Sequence, residues 1–326
     1  MAKTNQSLGT LAAAAAVGML AAVGMLLLTM LALVEPAGAA FPGKNGKIVF
    51  STNRDGNYEI YTMNSDRSGP PSTWDVKRLT NHPKDDTDPA FSSDGSQIAF
   101  VSARDGNAEI YTMNTDGTGL KRITNDPAPD SQPAFSPGGS GQSRLAFTST
   151  RDTFNPVNQE IYTTNSNGSG LVVRHTTNDA QDSDPAFSPD GNKIAFRSKR
   201  DGGNSDIYLL TLGTLRVQRL TNNPATDVLP NFSPNGSKIA FTSFRDGGNS
   251  EIYTMNSDGT GQTRFTNDPG IDSFPAFSPD GSWITFSQTN GLGNAEIYTK
   301  KLEGLGEQRL TSTAEVDVNP DWQPLP

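Results

Sequence analysis

Six aspartates, each three residues before a proline, are the residues of this sequence whose type and spacing most directly suggest chemistry. They are Asp86, Asp130, Asp182, Asp227, Asp272 and Asp317. An aspartate in this position can cap a turn by accepting backbone N–H groups two or three residues ahead. Six carboxylates brought together would instead repel one another and favour a hard cation such as Ca²⁺, which takes roughly six to eight oxygen ligands. We expect turn capping as their main role, with a Ca²⁺ site built from the same six residues as the alternative.

The aspartates belong to a repeat that runs through most of the chain, in which three triplets recur in a fixed order. The first, [Ile/Leu]-[Ala/Val/Thr]-Phe, ends at Phe50, Phe100, Phe147, Phe196, Phe241 and Phe286. The second, [Glu/Asp]-Ile-Tyr, ends at Tyr61, Tyr111, Tyr162, Tyr208, Tyr253 and Tyr298. The third, Arg-[Leu/Ile/Phe]-Thr, ends at Thr80, Thr124, Thr221, Thr266 and Thr311, with a weaker His-Thr-Thr version ending at Thr177. The chain therefore contains six repeats of about 45 to 51 residues.

Each repeat predicts four short antiparallel strands. Pro-Ala-Phe-Ser forms the first, Lys-Ile-Ala-Phe the second, Glu-Ile-Tyr-Thr the third and Arg-Leu-Thr the fourth. Asp-Gly and Asn-Gly pairs supply the positive φ of the tight turns between them. Strands this closely spaced leave no room for crossover helices. The predicted fold class is therefore all-β, a six-bladed β-propeller of four-stranded antiparallel blades.

The two ends of the repeat region predict how the ring of blades closes. Residues 320–324 match the start of the first-strand motif, and residues 42–50 match its continuation. The C-terminal strand should therefore join the N-terminal blade as its innermost strand. A ring closed in this way exposes no long sheet edge.

With these motifs the chain resembles the TolB-type β-propeller repeat family, which includes the periplasmic protein TolB and many exported relatives. The resemblance rests on Pro-Ala-Phe-Ser-Pro-Asp-Gly-x-x-Ile-Ala-Phe, Arg-Asp-Gly-x-x-Glu-Ile-Tyr and Arg-Leu-Thr-Asn, and it covers residues 41–326. It implies the six-bladed fold. It extends to the propeller part of TolB only, since we expect the mature chain to start directly on the first blade, without the α/β domain of TolB. Because unrelated proteins carry this propeller, the resemblance does not fix a function.

A binding surface is predicted where the six aspartates surround one mouth of the central channel, since the first strand of a propeller blade lines that channel. The two residues after each aspartate differ between repeats, with aspartate in two early copies and apolar residues in later ones. Apolar residues in rim loops are typical of partner surfaces. The predicted surface, acidic on one arc and apolar on the other, consists of Asp86, Asp88, Asp130, Asp182, Asp184, Asp227, Val228, Leu229, Asp272, Phe274, Asp317 and Val318.

The repeated arginines and the two histidines are interpreted as structural. The Arg-Asp-Gly turns contain Arg54, Arg104, Arg151, Arg200 and Arg245, and the sixth repeat has Gln288-Thr289-Asn290-Gly291 instead. Each arginine is predicted to pair across a hairpin with the acidic residue of the third strand, such as Glu59. His82 falls in a turn position, and His175 is aligned with the arginines of the third triplet, so neither has a catalytic partner.

The function predicted from these residues is that of a non-catalytic scaffold that binds a protein, peptide or glycan at the channel mouth. The chain has no cysteine and no Gly-x-Ser-x-Gly motif, and its net charge of −9 argues against nucleic acid. No cofactor is expected apart from the alternative Ca²⁺ site. Two other functions remain open: a carbohydrate-active hydrolase or lyase that uses the rim carboxylates, and a cation-binding propeller.

The N-terminal segment predicts export. An apolar run over residues 8–34 follows Lys3 and precedes Ala37-Gly38-Ala39, a small-residue pattern typical of signal-peptide cleavage. We therefore predict a signal peptide over residues 1–39 and a propeller over residues 40–326, with a periplasmic or extracellular location. The alternative is an uncleaved membrane anchor formed by residues 8–34. The propeller is expected to be a monomer that touches membrane only through such an anchor.

Overall fold

All regular elements in the described part of the chain are β-strands. The computed structural model describes residues 40–65, 75–138, 143–152, 158–289, 293–304 and 306–326. The predicted signal peptide lies outside these residues. No helix long and apolar enough to span a membrane is found among them.

The strands form six four-stranded sheets, here called blades one to six, with the innermost strand given first. Blade one contains β24 (Asp317–Leu325), β1 (Lys44–Thr52), β2 (Glu59–Asn64) and β3 (Lys77–Arg78). Blade two contains β4 (Asp86–Phe91), β5 (Gln97–Ser102), β6 (Glu109–Asn114) and β7 (Lys121–Arg122). Blade three contains β8 (Asp130–Phe135), β9 (Arg144–Ser149), β10 (Glu160–Asn165) and β11 (Val173–Arg174). Blade four contains β12 (Asp182–Phe187), β13 (Lys193–Ser198), β14 (Asp206–Thr211) and β15 (Arg216–Arg219). Blade five contains β16 (Asp227–Phe232), β17 (Lys238–Ser243), β18 (Glu251–Asn256) and β19 (Thr263–Arg264). Blade six contains β20 (Ile271–Phe277), β21 (Trp283–Thr289), β22 (Ala295–Lys301) and β23 (Glu307–Arg309).

The pairing within each blade confirms the predicted six-bladed β-propeller. Every neighbouring pair of strands is antiparallel, and in blades two to six the strands follow one another in sequence order. The innermost strand of each blade also contacts the innermost strand of the next, and β20 of blade six contacts β24 of blade one. The six innermost strands therefore form a closed ring around the axis.

Ring closure by the C-terminal strand is confirmed. β24 runs antiparallel to β1, with Ile48 opposite Trp322 and Thr52 opposite Asp317. Trp322 is buried in one apolar cluster with Ile48 and Phe50. Both backbone pairing and side-chain burial therefore hold the ends of the repeat region together.

An aromatic pair forms the centre of each blade. The phenylalanine of the second strand stands directly opposite the tyrosine of the third, as Phe100 does opposite Tyr111. The six ring pairs have centroids 5.8 to 6.1 Å apart. The period-two alternation of the strands thus places the recurrent Phe and Tyr on the same face.

Asp321 and Asn231 occupy the position that the other blades fill with the alanine of Pro-Ala-Phe. Asp321 Oδ2 accepts the backbone N–H of Phe91 at 2.7 Å, and Asn231 Oδ1 accepts that of Phe277 at 2.9 Å. Each side chain therefore bonds its own blade to the next one. Burial raises the pKa of Asp321 to about 7.

Deletion of residues 317–326 is expected to abolish cooperative thermal unfolding and to cause aggregation, because it removes the innermost strand of blade one and exposes the edge of β1. Removal of Pro326 alone is the control, since this exposed residue follows β24. Calorimetry and light scattering on both proteins measure the effect. An unchanged melting transition after the larger deletion would contradict the role of β24 in closure.

Replacement of Asp321 by Asn is expected to stabilise the fold at pH 8 by an amount on the order of a few kcal/mol. The pKa of Asp321 is higher in the folded than in the unfolded chain, so proton binding by this residue favours folding. This contribution to stability is fully present below about pH 4 and is lost as the pH rises through about 7. The side-chain oxygen of Asn can still accept the backbone N–H of Phe91, and Asn cannot ionise. The converse change, Asn231→Asp, should create the same loss of stability with rising pH. Denaturant unfolding at pH 5 and pH 8 measures both, and an equal effect of D321N at the two values would refute this account.

Candidate functional site

The twelve residues predicted as a binding surface all lie on the innermost strands. Five of the six repeated aspartates begin their strands, and Asp272 is the second residue of β20. All twelve are buried, and Val318, the most accessible of them, is only 8% exposed. The structure therefore places them in the channel wall rather than in exposed rim loops. Their role in binding stays a prediction.

Five of the repeated aspartates pair with the Arg-Asp-Gly arginine of their own blade. The pairs are Arg54–Asp317 (3.0 Å), Arg104–Asp86 (2.7 Å), Arg151–Asp130, Arg200–Asp182 (2.7 Å) and Arg245–Asp227 (2.7 Å). The predicted turn cap is therefore wrong for these five aspartates, because their carboxylates bind guanidinium groups. A buried carboxylate needs a partner to offset its desolvation, and in these five blades the partner is a guanidinium group.

The arginine of each such pair makes three further contacts. In blade two, Arg104 Nε donates to Ser102 Oγ at 2.9 Å, and the guanidinium lies 5.0 Å from the ring centre of Tyr111. It also lies 5.5 Å from the ring centre of Phe100. The arginine thus connects the innermost strand, the second strand and the aromatic pair of the blade.

The acidic residue of the third strand has a different partner from the predicted one. Glu59 Oε1 accepts from Arg78 of the third triplet at 2.9 Å, and its Oε2 accepts from Thr80 at 2.6 Å. The predicted pair between Glu59 and Arg54 is therefore wrong. Arg54 instead turns inward, where Asp317 is completely buried and has no other cationic partner in the part of the chain that the structure describes.

His175 occupies a different repeat position from the predicted one. Arg174 pairs with Glu160 at 2.8 Å, and Thr176 Oγ1 accepts the N–H of Ile161 at 2.9 Å. The third triplet of this repeat is therefore Arg174-His175-Thr176, and His175 replaces the apolar middle residue. Burial lowers the pKa of His175.

Blade six departs from this arrangement at Asp272. Gln288 of β21 stands opposite it, where Ser102 stands opposite Asp86 in blade two. Within the described ranges, neither Oδ atom of Asp272 has a hydrogen-bond partner, although the side chain is completely buried. Burial, with a smaller effect from the carboxylate of Asp268, raises the pKa of Asp272 well above its usual range.

One residue in each innermost strand adopts a left-handed backbone conformation two positions after the aspartate. We call these six residues the left-handed ring, and their φ angles lie between 56° and 59°. The ring consists of Asp88, Gln132, Asp184, Leu229, Phe274 and Asn319. Each lies at a register shift between the first and second strands of its blade, as between Thr87 and Ala90. The bulge turns one residue of each innermost strand out of the regular alternation.

Polar members of the left-handed ring are bonded across blades. Asn319 Nδ2 donates to Asp88 Oδ1 at 2.6 Å, which joins blades one and two. Gln132 donates to Asp184, which joins blades three and four. Arg197 of β13 reaches the same carboxylate, with its Nε 3.4 Å from Asp184 Oδ2.

The apolar members, Leu229 and Phe274, lie in the adjacent blades five and six. They are 4% and 5% exposed. Aspartate and asparagine tolerate positive φ, whereas Leu and Phe in this region are strained. The sequence contained a signal for this ring, since Asp88, Asp184 and Asn319 all directly precede the proline and are residue types that tolerate positive φ. The apolar residues Leu229 and Phe274 at the same position made this signal hard to recognise.

The family of the chain follows from its match to a family model described as the TolB beta propeller domain. The match covers residues 35–130, 182–249 and 203–325. The chain belongs to the TolB β-propeller family. No sequence among curated proteins matches this TolB-type propeller significantly.

Solved structures share the fold of this TolB-type propeller. TolB from Acinetobacter baumannii is 24% identical, with a TM-score of 0.71 over 87% of this chain and 68% of that chain. The nidogen/laminin complex matches with a TM-score of 0.62 and 11% identity, over 85% of this chain and 98% of that chain. Oligogalacturonate lyase from Vibrio parahaemolyticus matches with a TM-score of 0.53 and 14% identity, over 82% and 90%. At these identities the likenesses establish the fold alone.

Replacement of Arg104 by Gln in this TolB-type propeller is expected to lower the free energy of unfolding by about 3 kcal/mol at pH 7, because Asp86 remains buried without its cation. The loss should shrink at lower pH as Asp86 takes up a proton. The double variant D86N/R104Q should recover much of the stability. Denaturant unfolding measures all three proteins beside R216Q, which changes an exposed arginine. Equal effects of R104Q and R216Q would contradict the role assigned to the pair.

Proposed function

We propose that the chain is an exported, non-catalytic propeller that binds a partner at the channel mouth where the six aspartates lie, here called the aspartate-side mouth. A protein or peptide is the favoured partner, and a glycan is the alternative. The observation that carries the proposal is the left-handed conformation of Leu229 and Phe274. Such a conformation costs roughly 1–2 kcal/mol for a residue with a large side chain. Backbone strain of this kind concentrates at ligand clamps and switch regions.

The chemistry of the left-handed ring suits an amphipathic segment. Blades five and six contribute Leu229 and Phe274, while blade four contributes Asp184 and the partly exposed Arg197. An apolar side chain of a partner would pack on the first arc, and a polar or charged group would bond to the second. Aromatic and arginine residues are enriched at the energetic centres of protein interfaces.

The N-terminal residues of the propeller pack at the ends of innermost strands opposite the repeated aspartates. The N–H of Ala40 donates to the carbonyl of Phe232 at 3.4 Å, and that of Gly43 donates to the carbonyl of Pro279 at 3.2 Å. Phe41 is only 4% exposed, in one apolar cluster with Phe232. This packing favours entry of a partner from the aspartate-side mouth. Signal cleavage before Ala40 would leave these residues in the mature chain.

Two likenesses bear on the class of function. The nidogen/laminin structure is a complex of proteins, and a protein partner for this chain is in line with that use of the fold. The lyase likeness favours the alternative, a carbohydrate-active enzyme. Against that alternative, five of the six repeated aspartates are paired with arginine and all six are completely buried. A general acid or base must reach its substrate.

The double variant L229N/F274N is expected to lose partner capture, because it removes the apolar arc and leaves asparagine, the residue of blade one, at the left-handed positions. The mature chain, the double variant and L171S would be immobilised and exposed to envelope and secreted extracts. Leu171 is an 86% exposed residue beside the outermost strand of blade three. Melting curves would confirm that each protein is folded.

Capture by the parent chain and by L171S, with loss in L229N/F274N, would support the proposed surface. Loss in L171S alone would instead place the partner on the outer perimeter of the propeller. If no protein is captured, a glycan array and a turnover assay on acidic polysaccharides decide between glycan binding and catalysis.

A further inference from the structure

We propose a divalent-cation site at the junction of blades five and six, formed by Glu251, Asp268 and Asp272. Each residue offers one carboxylate oxygen, and these oxygens lie within 4.8 Å of one another. Among the described residues, no other group of three or more acidic, histidine or cysteine side chains meets this spacing. Oxygen ligands stand at roughly 2.3–2.6 Å from Ca²⁺, so two ligands on opposite sides of the ion are separated by about 5 Å. The cluster therefore has the size of a calcium site.

Unpartnered oxygen atoms point to a missing ligand in this cluster. Both Oδ atoms of Asp272 and the Oδ2 atom of Asp268 are inaccessible to water and have no hydrogen-bond partner among the described residues. Asp268 Oδ1 is held by the N–H of Gly270 at 2.7 Å, which fixes the carboxylate. A buried polar atom without a partner is costly, and in native structures it commonly marks a site for an ion, a water molecule or a proton.

The junction of blades two and three provides an internal comparison. Glu109, Asp126 and Asp130 occupy the same repeat positions there as Glu251, Asp268 and Asp272. Arg151 binds Asp130 and lies 4.0 Å from Asp126.

A second arginine completes that junction, since Arg122 pairs with Glu109 at 2.9 Å. Two guanidinium groups therefore accompany three carboxylates between blades two and three.

Only one of these two cations is retained between blades five and six. Arg264 pairs with Glu251, as Arg122 does with Glu109. No ion pair to Asp268 or Asp272 is formed among the described residues. In the sequence, Gln288 replaces Ser149 and Asn290 replaces Arg151. The positive charge that the repeat provides elsewhere is thus absent beside two neighbouring carboxylates, and a bound cation would restore it.

The donor set favours a hard divalent cation. All three side chains offer carboxylate oxygens, and neither histidine nor cysteine is part of the cluster, so Ca²⁺ suits the site better than Zn²⁺. Asp272 and Glu251 are buried, whereas Asp268 is partly exposed. The site lies between two blades and shares only Asp272 with the six repeated aspartates. It does not depend on the proposed partner.

The test compares Ca²⁺ binding by the metal-stripped mature chain, by D272N and by the double variant Q288S/N290R, which restores the serine and arginine of the other repeats. Equilibrium dialysis against CaCl₂ at constant ionic strength gives the stoichiometry, and thermal unfolding with and without CaCl₂ gives the effect on Tm. The exposed residue Asp258 provides the control variant, D258N.

We expect one Ca²⁺ per chain, an increase of Tm with CaCl₂, and unchanged binding by D258N. D272N should bind at least about tenfold more weakly. Q288S/N290R should bind no Ca²⁺, and its Tm should be independent of CaCl₂ and no lower than that of the metal-free parent chain. If D272N does not fold, Q288S/N290R and D268N carry the test.

Three results would overturn the proposal. The first is that the parent chain shows no saturable binding of Ca²⁺ or of MnCl₂. The second is that Ca²⁺ binding survives in Q288S/N290R. The third is that D272N raises Tm while no metal affects the parent chain. The third result would mean that Asp272 is held as a neutral acid.

Discussion

The buried ion pair between the first residue of the innermost strand and the Arg-Asp-Gly arginine is the interaction on which the rest of blades one to five depends. A blade must place its innermost strand against two neighbouring strands of the ring, and the aspartate at its start is completely buried there. An unpaired carboxylate in that position would be strongly destabilising. The arginine offsets this cost and lies over the Phe–Tyr pair, so one side chain fixes strand, loop and core together.

This dependence explains why the aspartate motif returns and why it is a poor guide to chemistry. The repeated residues contact one another within the scaffold. The aspartate binds arginine, the third-strand glutamate binds the arginine and threonine of the third triplet, and the aromatic residues pack together. Specific function in a repeat protein therefore belongs to the positions at which the repeats differ. In this propeller those positions include the left-handed ring, the residue after the proline, and the second strand of blade six.

The sequence was sufficient for the fold because its signals are local and repeated. Period, turn residues and strand alternation each specify a short stretch of chain, and six copies remove most ambiguity. The split motif at the two ends predicted ring closure for the same reason. The ion pairs were assigned wrongly because the prediction paired each arginine across its own hairpin, whereas the true partner lies on the innermost strand. This partner is 18 to 21 residues earlier in blades two to five and near the other end of the chain for Arg54. The rim residues were predicted as exposed because the sequence did not reveal the bulge that carries them. This bulge needs a positive φ, which the residue types of Leu229 and Phe274 do not suggest.

The departures from the repeat are concentrated in blades five and six. Leu229 and Asn231 lie on β16, and Asp272 and Phe274 lie on β20. Asp272 and Phe274 are two residues apart on one short strand, so a charge that stabilises the first also restrains the backbone that carries the second. A closed ring can tolerate one blade without this arginine, because the other five blades keep their own ion pairs. The propeller can therefore place a strained apolar arc and an uncompensated carboxylate side by side. Among the described residues, this junction therefore combines two departures from the repeated scaffold: an aspartate without its arginine and a large apolar residue with positive φ.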